Sequence, residues 1–137
     1  MKHDVFIDTS GFYALLVKRD TMHATARGIL QQASSNLTQF ITTDYVIDEI
    51  ATLLQVKGCG HLLPGFFDML NETEACTIQW MDQERFSRVQ STFLKHSDHV
   101  WSFTDCFSFA VMKELRLTEA LTKDKHFREA GFKVLLE

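Results

Sequence analysis

Residues 5–16 read VFIDTSGFYALL. An unbroken apolar run, Val5 to Ile7, stops at a carboxylate, Asp8, passes through Thr-Ser-Gly, and resumes at a longer period with Phe12, Leu15 and Leu16. β-Branched and aromatic residues in a continuous rather than alternating run suit a strand covered on both faces, as in a parallel sheet. Thr9 and Ser10 can cap the helix that follows, and Phe12, Leu15 and Leu16 supply its apolar stripe. The stretch predicts a strand running straight into a helix, with an acidic side chain at the joint.

The same beat repeats outward from it. A second helix is predicted over His23–Ala33, SSN at 34–36 as a turn, and QFITT at 39–43 as a short strand. A third helix opens near Asp44, taken as its N-cap, and runs through YVIDEIATLLQVK to the GCG break at 58–60. Pro64 fits the first turn of a fourth helix, GFFDMLNE, where the missing N–H has no intrahelical use. CTIQWM, from Cys76, reads as a strand, and Asp82 caps a helix bearing Phe86, Val89, Phe93 and Leu94. In HVWSFTDCFSFAVMKELRL a helix begins between Ser102 and Asp105 and buries Phe109, Met112 and Leu115. EALT is a short strand, KDKHFREAGF an exposed turn with a brief helix, and KVLL the final strand. Alternating strands and helices predict an α/β three-layer sandwich, with a mainly parallel central sheet of about five strands flanked by helices. At 137 residues, 45% of them hydrophobic, one domain spanning residues 1–137 is expected, without linker or repeat.

Composition narrows the function. No apolar stretch approaches the about 18 residues needed to span a bilayer, and the start MKHDVF offers no signal-peptide core, so a soluble cytoplasmic protein without membrane attachment is expected. Cys59, Cys76 and Cys106 are widely spaced and never CxxC, which suits buried reduced thiols. The six histidines are scattered, with no HxH or HxxxH pair. A net charge of -4 argues against coating nucleic acid by bulk attraction, although a local basic rim or an acidic centre neutralised by cations remains compatible with it.

Four acids stand out. Asp8 closes the first strand, and the crevice at the carboxyl ends of strands is where ligands bind in open α/β sheets. Asp124 repeats that placement in ALTKDKHF. Asp105 follows Ser102 and Thr104 at a helix start, where the macrodipole favours a carboxylate. On the third helix, Val46, Ile50, Leu53 and Leu54 define the apolar stripe. Glu49 falls on its border and can reach an interior cleft, whereas Asp48 points nearly opposite, into water. Each alone has an ordinary reading, as a cap, a turn residue or a boundary side chain. Together, carboxylates sharing a cleft repel unless a cation neutralises them, and hard oxygen donors select Mg²⁺ or Mn²⁺.

DTSGF, TTDYVIDEIATLL, WSFTDCFSFAVM and ALTKDKHFREAGFKVLL together resemble the PIN-domain ribonucleases, specifically the VapC-like toxins of bacterial toxin–antitoxin pairs, over nearly the whole chain. The resemblance implies a PIN fold, a divalent-metal site and metal-assisted hydrolysis of RNA phosphodiester bonds, in which bound metal lowers the pKa of a water and offsets transition-state charge. It transfers the acidic ligand roles to Asp8, Glu49, Asp105 and Asp124, with Asp8 and Asp105 the first choices as direct ligands. A supporting hydroxyl role falls to Ser10, and with it Thr104. It implies an RNA substrate, a cognate antitoxin that occludes the cleft, and a homodimer.

Lys18, Arg19, Lys123, Lys125 and Arg128 are candidates for phosphate contacts beside the acidic mouth. Phe12, Tyr13, Phe103 and Phe107 are candidates for base stacking, with a core role as the plainer alternative. Phe66, Phe67, Met69 and Leu70 are candidates for a dimer or antitoxin surface, or for core. Rival readings are a Mg²⁺-binding receiver, which lacks its expected acidic pair here, and a haloacid-dehalogenase-like phosphatase, whose DxDx[TV] is replaced by DTSG. A non-toxin RNA-processing or non-catalytic PIN domain is a third.

Overall fold

The computed structural model describes residues 4–137. In chain order its elements are β1 (Val5–Ile7), α1 (Thr9–Leu16), α2 (His23–Ser35), β2 (Phe40–Thr43), α3 (Asp44–Val56), a 3₁₀ turn (Gly60–Leu62), α4 (Leu63–Glu72), β3 (Cys76–Gln79), α5 (Gln83–Lys95), α6 (Phe103–Glu114), β4 (Glu119–Leu121), α7 (Lys125–Glu129) and β5 (Lys133–Val134). The continuous apolar run of β1 is buried at all of its residues, as expected of a strand with neighbours on both sides and layers on both faces.

The sheet has five strands in the order β3-β2-β1-β4-β5, every pairing parallel. β1 registers Phe6 against Ile41 on one side and Ile7 against Leu121 on the other. Successive strands step from β1 to one edge, then the chain crosses back over β2 and β1 to β4 and continues outward to β5. Right-handed crossovers therefore put the helices of the two directions on opposite faces. Consistent with this, α1 packs on α2 and α3, whereas α6 packs on α5 and α7. The strand order reverses between β1 and β4, so the connections leaving their paired carboxyl ends turn to opposite faces and leave the crevice where doubly wound sheets bind ligands.

Large rings fill the layers around the sheet: Phe6, Phe12, Phe66, Phe107 and Phe127 are fully buried. Phe127 of α7 meets Phe6 of β1 and stands edge-on to Phe109 of α6 at 4.9 Å, which fixes α7 over the end of β4. Among the described residues no helix is long and apolar enough to cross a membrane.

Several boundaries differ from the sequence expectation, each for a local reason. Thr43, not Asp44, is the N-cap of α3: its backbone is still extended and its Oγ1 accepts from the Val46 N–H at 3.1 Å. Asp44 instead accepts from the Met81 N–H at 3.0 Å and ties the helix start to the segment after β3. Neither Thr9 nor Ser10 caps α1, because Asp8 does so itself. The third strand ends at Gln79, and Trp80 beyond it is 62% exposed. β5 ends at Val134, although the Leu135 and Leu136 N–H groups still donate to the Ala120 and Thr122 carbonyls.

Gly11 sits where α1 crosses the end of β4. A Cβ there would lie 1.9 Å from the Leu121 carbonyl oxygen, which is backbone and cannot rotate away. Gly11→Ala is expected to destabilise the protein by about 1–3 kcal/mol through overpacking. Denaturant midpoints of the two proteins measure this, and an unchanged midpoint would mean that α1 does not press on β4.

Candidate active site

Asp8 leaves β1 with extended backbone and turns its carboxylate back as the α1 cap. Its Oδ1 accepts from the Gly11 N–H at 2.9 Å and the Ser10 hydroxyl at 2.9 Å, and its Oδ2 accepts from the Thr122 hydroxyl at 2.7 Å. Ser10 and Thr122 thus both direct their protons at Asp8, with their oxygens 3.1 Å apart. Those oxygens also accept backbone N–H groups from the other joint, Lys123 to Ser10 at 2.8 Å and Asp124 to Thr122 at 2.9 Å. The β1–α1 joint and the β4–α7 joint are thereby stitched together through Asp8. The side chain is 6% exposed. Burial pushes its carboxyl up to about 7, against the opposing hydrogen bonds from Thr122, Gly11 and Ser10, and the nearby charge of Asp124 adds to the rise.

Asp105 is held in the first turn of α6 by a reciprocal capping box. Ser102 Oγ accepts the Asp105 N–H at 2.9 Å, and Asp105 Oδ2 accepts the Ser102 N–H at 3.1 Å. Asp124 caps α7, accepting the His126 N–H at 2.9 Å. The His126 ring closes the set, with Nδ1 3.2 Å from Asp105 Oδ2 and 3.3 Å from Asp124 Oδ1. Burial raises the Asp105 pKa, the Ser102 amide and His126 oppose it, and the charge of Asp124 adds to it. Asp124 therefore acts electrostatically on both Asp8 and Asp105, which makes the three aspartates one unit although they come from three separate joints.

Glu49 stands apart from that unit. It is exposed on α3, where it accepts a hydrogen bond from the Thr9 hydroxyl, next to Asp8 in the chain. Asp48 is exposed, as expected, and the two acids border an open groove with Thr9, Thr52 and Thr104. Thr104 borders this groove, and the hydroxyl that reaches Asp8 beside Ser10 belongs to Thr122.

The basic candidates divide. Lys123 lies at the site but its ammonium pairs with Asp20 at 2.7 Å. Arg19 donates to the Lys57 carbonyl at 3.2 Å, and Arg128 pairs with Glu137. Lys18 and Lys125 are exposed. Phe12 and Phe107 are core residues, at 2% and 0% exposure, and are not available to stack on a base. Tyr13 and Phe103 are half-buried, the latter among Tyr45, Phe86 and Phe93. Phe66 and Leu70 are likewise buried, which leaves Phe67 and the half-buried Met69 at the surface of α4.

Thr122 and His126 carry no role in the sequence reading, yet both stand in the stretch TKDKHF that flags Asp124. Their spacing, two residues on either side of the aspartate, was the available signal. The histidines are also less scattered than the sequence suggests, since His96 and His99 come together beyond α5.

The donors fit a divalent cation. Asp105, Asp124 and His126 each offer a ligand atom within 4.8 Å of the others, and Asp8 adds a buried carboxylate beside them. Burial and mutual repulsion raise the pKa of two of these groups, the stress that a bound cation relieves.

Comparison with known proteins agrees with the geometry. The PIN-domain family model matches residues 5–133. The 23S rRNA-specific endonuclease VapC20 of Mycobacterium tuberculosis, in strains CDC 1551 / Oshkosh and ATCC 25618 / H37Rv, is 27% identical over 128 residues, covering 93% of this chain and 95% of the relative. The crystal structure of M. tuberculosis VapC20, described as a sarcin–ricin loop cleaving toxin, superposes with a TM-score of 0.80 at 26% identity, over 93% of this chain and 95% of that one. With a five-stranded parallel sheet of matching shape and a family match over nearly its full length, this chain belongs to the PIN-domain family.

Proposed function

We propose that this protein, acting as one PIN domain, is a divalent-metal-dependent endoribonuclease and the toxin of a toxin–antitoxin pair. The observation that carries the reading is the convergence of Asp8, Asp105 and Asp124 on one electrostatic unit at the carboxyl ends of β1 and β4. Asp8, Asp105 and Asp124 would hold Mg²⁺ or Mn²⁺ through their oxygens; Glu49, which accepts from the Thr9 hydroxyl, would hold a water or a second ion. When bound, the metal supplies a water of lowered pKa and positive charge for the phosphoryl oxygens.

The chain's own residues do the rest. Ser10 and Thr122 fix the Asp8 carboxylate from two sides, so its geometry is set before substrate arrives. His126 sits between two acids and keeps them from turning apart. Lys18 and Lys125, both exposed, meet backbone phosphates; Lys123, Arg19 and Arg128 would have to leave their present partners to do so. The relatives named for 23S rRNA make a structured ribosomal RNA loop the substrate class to test first. A cognate antitoxin, a homodimer and a cytoplasmic setting belong to the same reading.

The test is incubation of the purified chain with ribosomes and with total RNA, in Mg²⁺, Mn²⁺ or chelator, with cleavage sites mapped by primer extension. Discrete cuts that stop with chelator, return with metal and are absent from Asp105→Asn are expected. Cleavage that persists in chelator, or in the variant, would remove the carboxylate cluster from the mechanism.

A further inference from the structure

The connection between α5 and α6 gathers a second group of metal-binding side chains. His96 is the C-cap of α5, and the His99 N–H donates to the His96 carbonyl at 3.0 Å, a turn that brings the two imidazole centroids to 5.8 Å. Asp98 lies between them in sequence, with its Oδ2 3.9 Å from His99 Nε2. One donor atom from each of His96, Asp98 and His99 lies within 4.8 Å of the others.

Both rings pack on one indole. His99 stacks on Trp101 at 4.1 Å and 12°, and His96 approaches the same indole at 5.2 Å. Trp101 stands edge-on to Phe109 of the core at 5.1 Å and donates its indole N–H to Glu129 of α7 at 3.1 Å. The Glu129 carboxylate also comes to 3.9 Å from His99 Nδ1. The carboxyl end of α5 adds the negative field of its unpaired carbonyls.

We propose that His96, Asp98 and His99, with water completing the set, form a second cation site selective for zinc-class ions; Glu129, on the Nδ1 side of His99, orients that ring. Two imidazoles and a carboxylate favour a borderline-soft metal over Mg²⁺, which prefers oxygen donors and keeps its waters. Ligands around a tetrahedral zinc with bonds of about 2.0–2.1 Å lie roughly 3.3 Å apart, so closure moves each side chain by about an ångström. The bound ion closes the α5–α6 connection, the segment that leads into Asp105, while Glu129 of α7 stands at the other nitrogen of His99. This site shares no residue with the carboxylate cluster and stands whether or not the chain cleaves RNA.

The test uses zinc on the full chain. An Asp105→Asn/Asp124→Asn background removes competition from the carboxylate cluster while leaving an amide oxygen to accept the Ser102 N–H in the α6 capping box and to cap α7. Equilibrium dialysis against Zn²⁺ in millimolar Mg²⁺ is expected to give one bound zinc per chain. Adding His96→Ala or, separately, the exposed Asp98→Ala is expected to weaken that binding about tenfold or more. Zinc is also expected to change the fluorescence of Trp101 through its stacked partner His99. Equal zinc affinity with and without His96 and Asp98, or no binding at micromolar zinc in the background protein, overturns the proposal.

Discussion

Asp8→Asn is expected to lower RNA cleavage by roughly 10²–10³-fold, the loss typical when one preorganised electrostatic group is removed from a reaction centre. The substitution is nearly isosteric and its effect on folding should be small. Asparagine is as good an N-cap as aspartate, so the Gly11 N–H keeps an acceptor. Its amide can donate to the Thr122 oxygen once that hydroxyl rotates, and the Ser10 hydroxyl still finds the carbonyl. What disappears is the negative charge that the hydroxyls and the sheet hold in place. Single-turnover cleavage by wild type and variant, with circular dichroism as the folding control, measures the effect. A variant that retains most of the activity would take Asp8 out of the chemistry and leave it a cap.

The second large effect has the opposite sign and appears in stability. Unfolded, Asp8 ionises near 3.8; in the folded metal-free protein it ionises near about 7. Between those values the folded chain keeps a proton that the unfolded chain has released, so stability falls as pH rises through that window and levels off above about 7. Asp105, also raised, pulls the same way. The loss attributable to Asp8 is on the order of 2–4 kcal/mol. Chelator-treated wild type is therefore expected to be more stable at pH 5 than at pH 8, while Asp8→Asn, with no charge to bury, recovers most of the difference at pH 8. Saturating Mg²⁺ or Mn²⁺ should recover it in wild type, because a ligand that binds only the folded state stabilises it. Denaturant unfolding at both pH values decides the matter. Equal pH slopes for wild type and Asp8→Asn would show that the carboxylate is not strained by its burial.

The two predictions describe one trade-off. The chain places a charge where it destabilises the metal-free fold, and the same burial leaves that charge able to interact strongly with a cation. Asp124 sharpens the effect by raising both other aspartates, so part of the strain comes from the cluster and not from desolvation alone.

Most of the fold was legible in the sequence because its signals are local. The unbroken run at Val5–Ile7, the change of period after Asp8, and the capping pattern of Ser102 with Asp105 each act within one or two turns of chain. Boundaries moved by a residue or two where two good caps stood side by side, as at Thr43 and Asp44, since only backbone direction chooses between them. Aromatic roles were the least legible: Phe103 and Phe107 sit one turn apart on α6, yet one is half-buried and the other sealed by the packing of α3 and Tyr45.

By itself the sequence determined that carboxylates end strands and open helices, because a strand's period and a helix's unpaired N–H groups are set by neighbouring residues. Only the tertiary structure decided which carboxylates share a field. Thr122 reaches Asp8 across 114 residues, His126 reaches Asp105 across 21, and Glu49 is left on the Thr9 hydroxyl, outside that set. The first depends on how β1 and β4 register side by side in the sheet, the others on how α7 meets α6 and α3 meets α1, and no local pattern encodes those pairings.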